Sequence, residues 1–165
     1  MTAEEVLHTA RALLDAPTPL KRDCGRLCGR ICCRPDETGK GGMLLFPGEE
    51  ALYDDDPDFE VTGCDDIPSG RLITCLKPCA REKRPLSCRL FPLWPGADGK
   101  AKSDRRAAGT CPLYPGGREA LSPDFVRAAD EAAAILLKVP EHREFLEAVD
   151  KSVSDGLKAL DLWEV

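Results

Sequence analysis

All nine cysteines of this 165-residue chain fall between Cys24 and Cys111, and they constrain it more than any other feature. Nine is odd, so complete internal pairing is excluded. The opening MTAEEVLHTARALLDAP has neither a basic start nor an apolar run, so no export signal is expected and a cytoplasmic location follows. In that reducing compartment disulfides are rare, and clustered thiols more often bind metal or carry redox chemistry. No stretch approaches the roughly 18 to 20 consecutive apolar residues of a membrane span.

The thiols form two groups. Cys24, Cys28, Cys32 and Cys33 stand within DCGRLCGRICCR, where Gly25 and Gly29 allow the backbone to fold closely around a metal. Cys75, Cys79 and Cys88 form the second group, and Cys111 follows in GTCPLYP. Thiol clusters joined through an intervening loop point to metal binding, with these eight cysteines as candidate ligands. Cys64, alone in TGCDD, reads as a small buried hydrophobe.

The spacing leaves the metal open. No C-x2-C knuckle of structural zinc sites is present, and the ferredoxin runs and the C-x3-C-x2-C run of radical S-adenosylmethionine enzymes are not matched. All-thiol ligation suits an iron–sulfur cluster or zinc, in one centre or two. His8 and His142 lie on expected helices away from the cysteines and read as surface residues. The absence of C-x-x-C argues against a thioredoxin-like role, and GKGGM reads as a turn rather than a phosphate loop.

Charge is uneven within a net −6. Residues 49–66 hold nine acids and no base, a solvated face without the rhythm of a calcium loop. Residues 21–40 and 71–106 are basic and hold most of the cysteines, as suits an anionic thiolate centre. Nucleic-acid binding is the competing reading of such basic segments. Overall acidity, 5% aromatics and the lack of a helical basic stripe argue against it.

Periodicity organises the rest. Residues 1–17 hold an amphipathic helix, with Thr2 and Glu5 as a capping box and Pro17 as its stop. The cysteine-rich region 18–117 should be loop-rich, with short strands at Met43–Phe46, Phe59–Thr62 and Leu72–Cys75 and a short helix after Pro47. Region 122–165 is helical again. Ser122 caps, Pro123 takes the first position, and Phe125, Val126, Ala129, Ala133, Leu136 and Leu137 share a face. A second helix opens at Pro140 with Phe145, Leu146 and Val149 inward, and a last short one covers Leu157–Leu162. One small irregular α+β domain follows, with a metal-organised cysteine-rich core packed by amino- and carboxy-terminal helices.

The segments CGRLCGRICC and CAREKRPLSCRLFPLWP carry a family resemblance. Cys28-Gly29, the Cys32-Cys33 doublet, Cys79, Arg84-Pro85 and Cys88-Arg89-Leu90-Phe91-Pro92 resemble the YkgJ-like cysteine-cluster family, described as a zinc- or iron-chelating domain. The likeness covers about residues 24–94, and the first cysteines are spread more widely than in the family's commoner compact CGxCC form. It implies metal chelation, by an iron–sulfur cluster or zinc, without naming an activity. Flagellin lysine methylases carry a similar cluster, which leaves an enzymatic role open. Within the matched segment, Arg84 and Arg89 are candidates to offset cluster charge or bond nearby carbonyls, and Phe91, Leu93 and Trp94 to shield the site from water.

The expected function is a metal-binding cysteine-cluster protein serving electron transfer, metal handling or support of a modification reaction. A structural zinc module that docks a protein partner is the alternative, and a metal-dependent enzyme the third reading.

Overall fold

The thiol-poor ends of the chain build most of the core. The computed structural model describes residues 1–33 and 42–161. Most of the expected GKGGM turn, and Leu162 of the expected last helix, lie outside the described residues.

Helix α1 (Ala3–Leu13) starts on the expected capping box. The Glu5 amide donates to Thr2 Oγ1 at 3.2 Å and the Thr2 amide to Glu5 Oε2 at 2.7 Å. Val6, Leu7 and Ala10, spaced to share one face, are buried against helix α4 (Pro123–Leu136). Pro123 opens α4 as expected, but the Ser122 side chain makes no cap bond. The Ser122 amide instead donates to the Pro19 carbonyl at 2.8 Å, tying the start of α4 to the segment that follows α1.

Helix α5 (Pro140–Asp161) runs on without the expected break before Leu157. Gly156 is a weak helix former, but its open surroundings leave nothing to end the helix there. His142 is a correction to the surface reading. It is fully buried, with Nε2 2.9 Å from the Ala3 carbonyl and its ring edge-on to Phe46. The outward-seeming position faces the start of α1, which sequence periodicity cannot show. His8 is exposed.

The three expected strands form one antiparallel sheet. Strand β1 (Met43–Leu45), β2 (Phe59–Gly63) and β3 (Arg71–Cys75) are ordered β1-β3-β2, with Met43 opposite Ile73 and Phe59 opposite Cys75. The short helix expected after Pro47 is a 3-10 turn at Glu49–Leu52. Some elements of the cysteine-rich region have no counterpart among the expected ones. Residues Leu86–Leu90 form a short helix, α3, and β4 (Leu93–Pro95) pairs with β5 (Ala101–Ser103) as a hairpin beside α4.

The main core joins α1, α3, α4 and α5 through residues such as Leu7, Phe46, Leu90, Phe125 and Leu136. Fully burying each such side chain is worth roughly 1.5–3 kcal/mol. A second small cluster, Leu45, Tyr53, Phe59 and Ile73, underlies the sheet, and Cys75 and Cys79 pack against it. All nine cysteines are only half-buried. Apolar side chains therefore organise the described core, and the thiols flank it.

Candidate metal centre

The first cysteine group is shaped by its glycines. A single helical turn, α2 (Gly25–Cys28), ends at Gly29 with φ 63°, the left-handed conformation that a side chain disfavours. Arg30 is also left-handed, at φ 59°, and its amide closes back on the Gly25 carbonyl at 3.1 Å. The reversal leads into a 3-10 turn at Ile31–Cys33, held by the Cys33 amide on the Arg30 carbonyl at 3.0 Å. A Cβ at Gly25 would stand 2.8 Å from Arg30 Cγ, so the glycine leaves room for Arg30 to fold back toward Asp23.

The second group is set by the sheet and by α3. Cys75 ends β3, and the Leu76 amide continues the pairing onto the Asp58 carbonyl at 2.9 Å. Cys88 rides on α3. Arg89, beside it, donates from Nε to the Arg84 carbonyl at 2.7 Å, from Nη2 to the Glu82 carbonyl at 2.8 Å, and from Nη1 to the Arg11 carbonyl at 3.2 Å. It also pairs with Asp15. Arg89 thus bonds carbonyls and fixes the loop between Cys79 and Cys88 against the end of α1. Cys111 is placed separately, its amide donating to the Ala107 carbonyl at 2.9 Å.

These segments meet around two adjoining cavities. One, of about 530 Å³, is lined by Cys24, Cys32, Cys33, Cys75, Cys79 and Cys88, with Arg84 and Phe91. The other, about 30 Å³ and apolar, is lined by Cys24, Cys28, Cys32 and Cys111, with Leu27, Ile31, Phe91 and Pro92. All eight candidate cysteines therefore border one connected region, with Cys24, Gly25, Cys32 and Phe91 common to both cavities. Cys64 borders neither and packs against the main core. Among the described residues, no three His, Cys, Asp or Glu side chains stand in an arrangement that would hold a metal ion.

Two thiol pairs lie in direct contact within the larger cavity. Cys32 Sγ and Cys33 Sγ are 3.9 Å apart. The bond from Cys32 favours the Cys33 thiolate and holds that thiol below its usual range, while Cys32 is pushed up. Cys75 does the same for Cys79, helped by the Arg84 guanidinium. Burial pushes the Cys88 thiol up. It is crowded by protein atoms on most sides, yet part of its surface still opens into the cavity.

Arg84 is the least exposed of the cations that line the larger cavity, beside Arg30 and Lys77. Its guanidinium lies 3.6 Å from Asp23 and faces Cys79, and the nearby acid and thiols raise its own pKa against the opposing effect of burial. The Asp23 carboxylate also accepts the Gly25 amide at 3.2 Å, so it anchors both the first cysteine turn and Arg84. Asp23 was not singled out from the sequence, though its place next to Cys24 was the available signal. Of the three apolar residues expected to shield the site, Phe91 lines both cavities. Leu93 and Trp94 belong to the core, where Trp94 stacks on Phe46 with centroids 5.3 Å apart.

Leu27, Ile31 and Leu76, which border these cavities, are large apolar residues left exposed. No helix among the described residues is long and apolar enough to cross a membrane. Comparison with protein-family models, curated proteins and solved structures finds no match, so the family resemblance stands on the quoted residues alone.

Proposed function

We propose that this chain is a cysteine-cluster protein that binds a metal centre, foremost an iron–sulfur cluster, through thiolates of Cys24, Cys28, Cys32, Cys33, Cys75, Cys79, Cys88 and Cys111. The observation that carries the reading is the meeting of all eight around two adjoining cavities, although they come from segments far apart in sequence. The donor set is all sulfur, as thiophilic metals require, and Arg84 offers positive charge against an anionic centre. The described side chains do not yet converge on one point. Binding therefore calls for thiol rotations within the larger cavity. The bound centre would supply redox capacity or structural cross-linking, and Phe91 would limit water access from one side.

The test is anaerobic reconstitution with iron and sulfide, followed by iron and acid-labile sulfide analysis. Brown protein with visible absorption that bleaches on reduction supports the cluster. Colourless protein carrying stoichiometric zinc favours the second reading, a zinc-bound module that docks a protein partner. Exposed Leu27, Ile31 and Leu76 around the thiols support that second reading. Protein that takes up neither metal overturns both.

A further inference from the structure

A third cavity, of about 330 Å³, meets the thiol cavities at Cys32 and Phe91 and lies between the three-stranded sheet, α3 and α5, within the size range of small-molecule sites. We propose that it binds a small uncharged apolar molecule carrying a carbonyl acceptor, such as a ketone, amide or ester. The apolar part of its lining is formed by Leu44, Ile67, Leu72, Phe91, Val149 and Val153. Into this setting the fold places two side-chain hydrogen-bond donors, one exposed and one buried without a partner.

Arg106 is the first. Its Nε and Nη2 donate to the two oxygens of Asp104 at 2.9 and 2.8 Å, and its guanidinium lies 4.2 Å from the Trp94 ring centroid. Asp104 also accepts the Arg106 amide at 3.0 Å, so the side chain is held at both ends. Arg106 is exposed, so Nη1, which bonds no described residue, is an oriented N–H donor that also meets solvent at the cavity lining. Ser87 is the second. It is 1% exposed, lines the cavity, and its hydroxyl has no hydrogen-bond partner. A buried hydroxyl left unpaired costs about 1–3 kcal/mol, which a ligand acceptor would recover.

Charge selects the ligand class. Asp104 neutralises Arg106, so the wall has no net positive charge to compensate a desolvated anion. Asp66, exposed on the cavity's lining, disfavours an anion further. A cation could use Asp66 but would leave the Arg106 and Ser87 donors unpaired. A neutral carbonyl satisfies the donors without burying charge. The inference does not rest on metal at the cysteines: of the eight proposed ligands only Cys32 lines this cavity, and Phe91 is the other residue shared with the thiol cavities.

Titration calorimetry on the full chain, both as purified and after metal chelation, tests this with 2-heptanone, hexanoate and hexylamine, probes of similar length. The ketone should bind in both preparations and more tightly than either charged probe. Ser87→Ala or Arg106→Met should weaken ketone binding about tenfold, the loss of one hydrogen bond. Leu72→Trp and, from the opposite wall, Val153→Trp should abolish it by filling the cavity, with circular dichroism confirming that at least one stays folded. Equal or tighter binding of hexanoate or hexylamine, ketone binding that survives the folded filling variant, or no binding at millimolar ketone overturns the proposal. Failure of metal uptake alone leaves these outcomes unchanged, so the two readings fail separately.

Discussion

Glu49 and Arg11 form a closed pair at the junction of α1, β1 and α3. Glu49 is fully buried, and its Oε1 accepts both the Arg11 guanidinium and the Leu86 amide, the latter at 2.7 Å. Its Oε2 accepts the Phe46 amide at 3.1 Å. Burial pushes the Glu49 carboxyl up, and the charge of Arg11 opposes that. The pair connects the amino-terminal helix to the helix that carries Cys88. Glu49→Ala would leave two buried amides unpaired and the Arg11 guanidinium with the Tyr53 hydroxyl in place of a carboxylate, and should cost about 3–5 kcal/mol. Urea unfolding at unchanged slope measures it, and Glu49→Gln should fall between the variant and the parent.

Arg89 should resist even a conservative change. One guanidinium reaches three carbonyls, a geometry the single nitrogen of lysine cannot copy. Arg89→Lys should cost about 2 kcal/mol. It should also speed proteolysis between Cys79 and Cys88, read by limited digestion and mass spectrometry.

Gly42 leads into β1 where the backbone has φ 129° and passes close to β3. A Cβ there would lie 2.4 Å from the Ile73 carbonyl oxygen, which is backbone and cannot swing aside. Gly42→Ala should therefore cost about 3 kcal/mol or more in denaturant unfolding. Gly48, also left-handed but with open space around it, should lose only about 1 kcal/mol on the same change.

His142 gives stability a pH dependence. Burial lowers its pKa below the usual 6.5, while the bond to the Ala3 carbonyl and the charge of Glu141 oppose the shift. Below 6.5 the unfolded chain takes up this proton more readily than the folded one. The stability present above that pH is then lost as pH falls toward the folded-state value. His142→Gln should flatten this part of the profile of unfolding free energy against pH between about 5 and 7.

The cysteines should divide by position. Cys64→Ser should leave reconstituted metal content unchanged, because this thiol borders neither cysteine cavity. Cys79→Ser and Cys88→Ala should each lower it, and Cys88→Ala should lower stability as well, since a bound metal stabilises only the folded state. Elemental analysis of the three variants side by side checks this.

Much of the local structure could be read from sequence alone. The α1 capping box, the Pro123 start of α4 and the three strands all depend on residues close in the chain or on short-range periodicity. What could not be read depends on partners far apart in sequence. Periodicity reads His142 as a surface group, because nothing local shows that it meets Ala3 across the core. Helix α3 is not legible in the sequence because five residues carry too little periodicity, and it is held by Glu49 on the Leu86 amide. Spacing proposed eight thiols as ligands, but only the tertiary structure brings four separate segments around two cavities and sets Arg84 between Asp23 and Cys79. Local sequence determines which turns and helices can form. Which side chains meet is decided by how those elements pack together, because burial and charge act through space rather than along the chain.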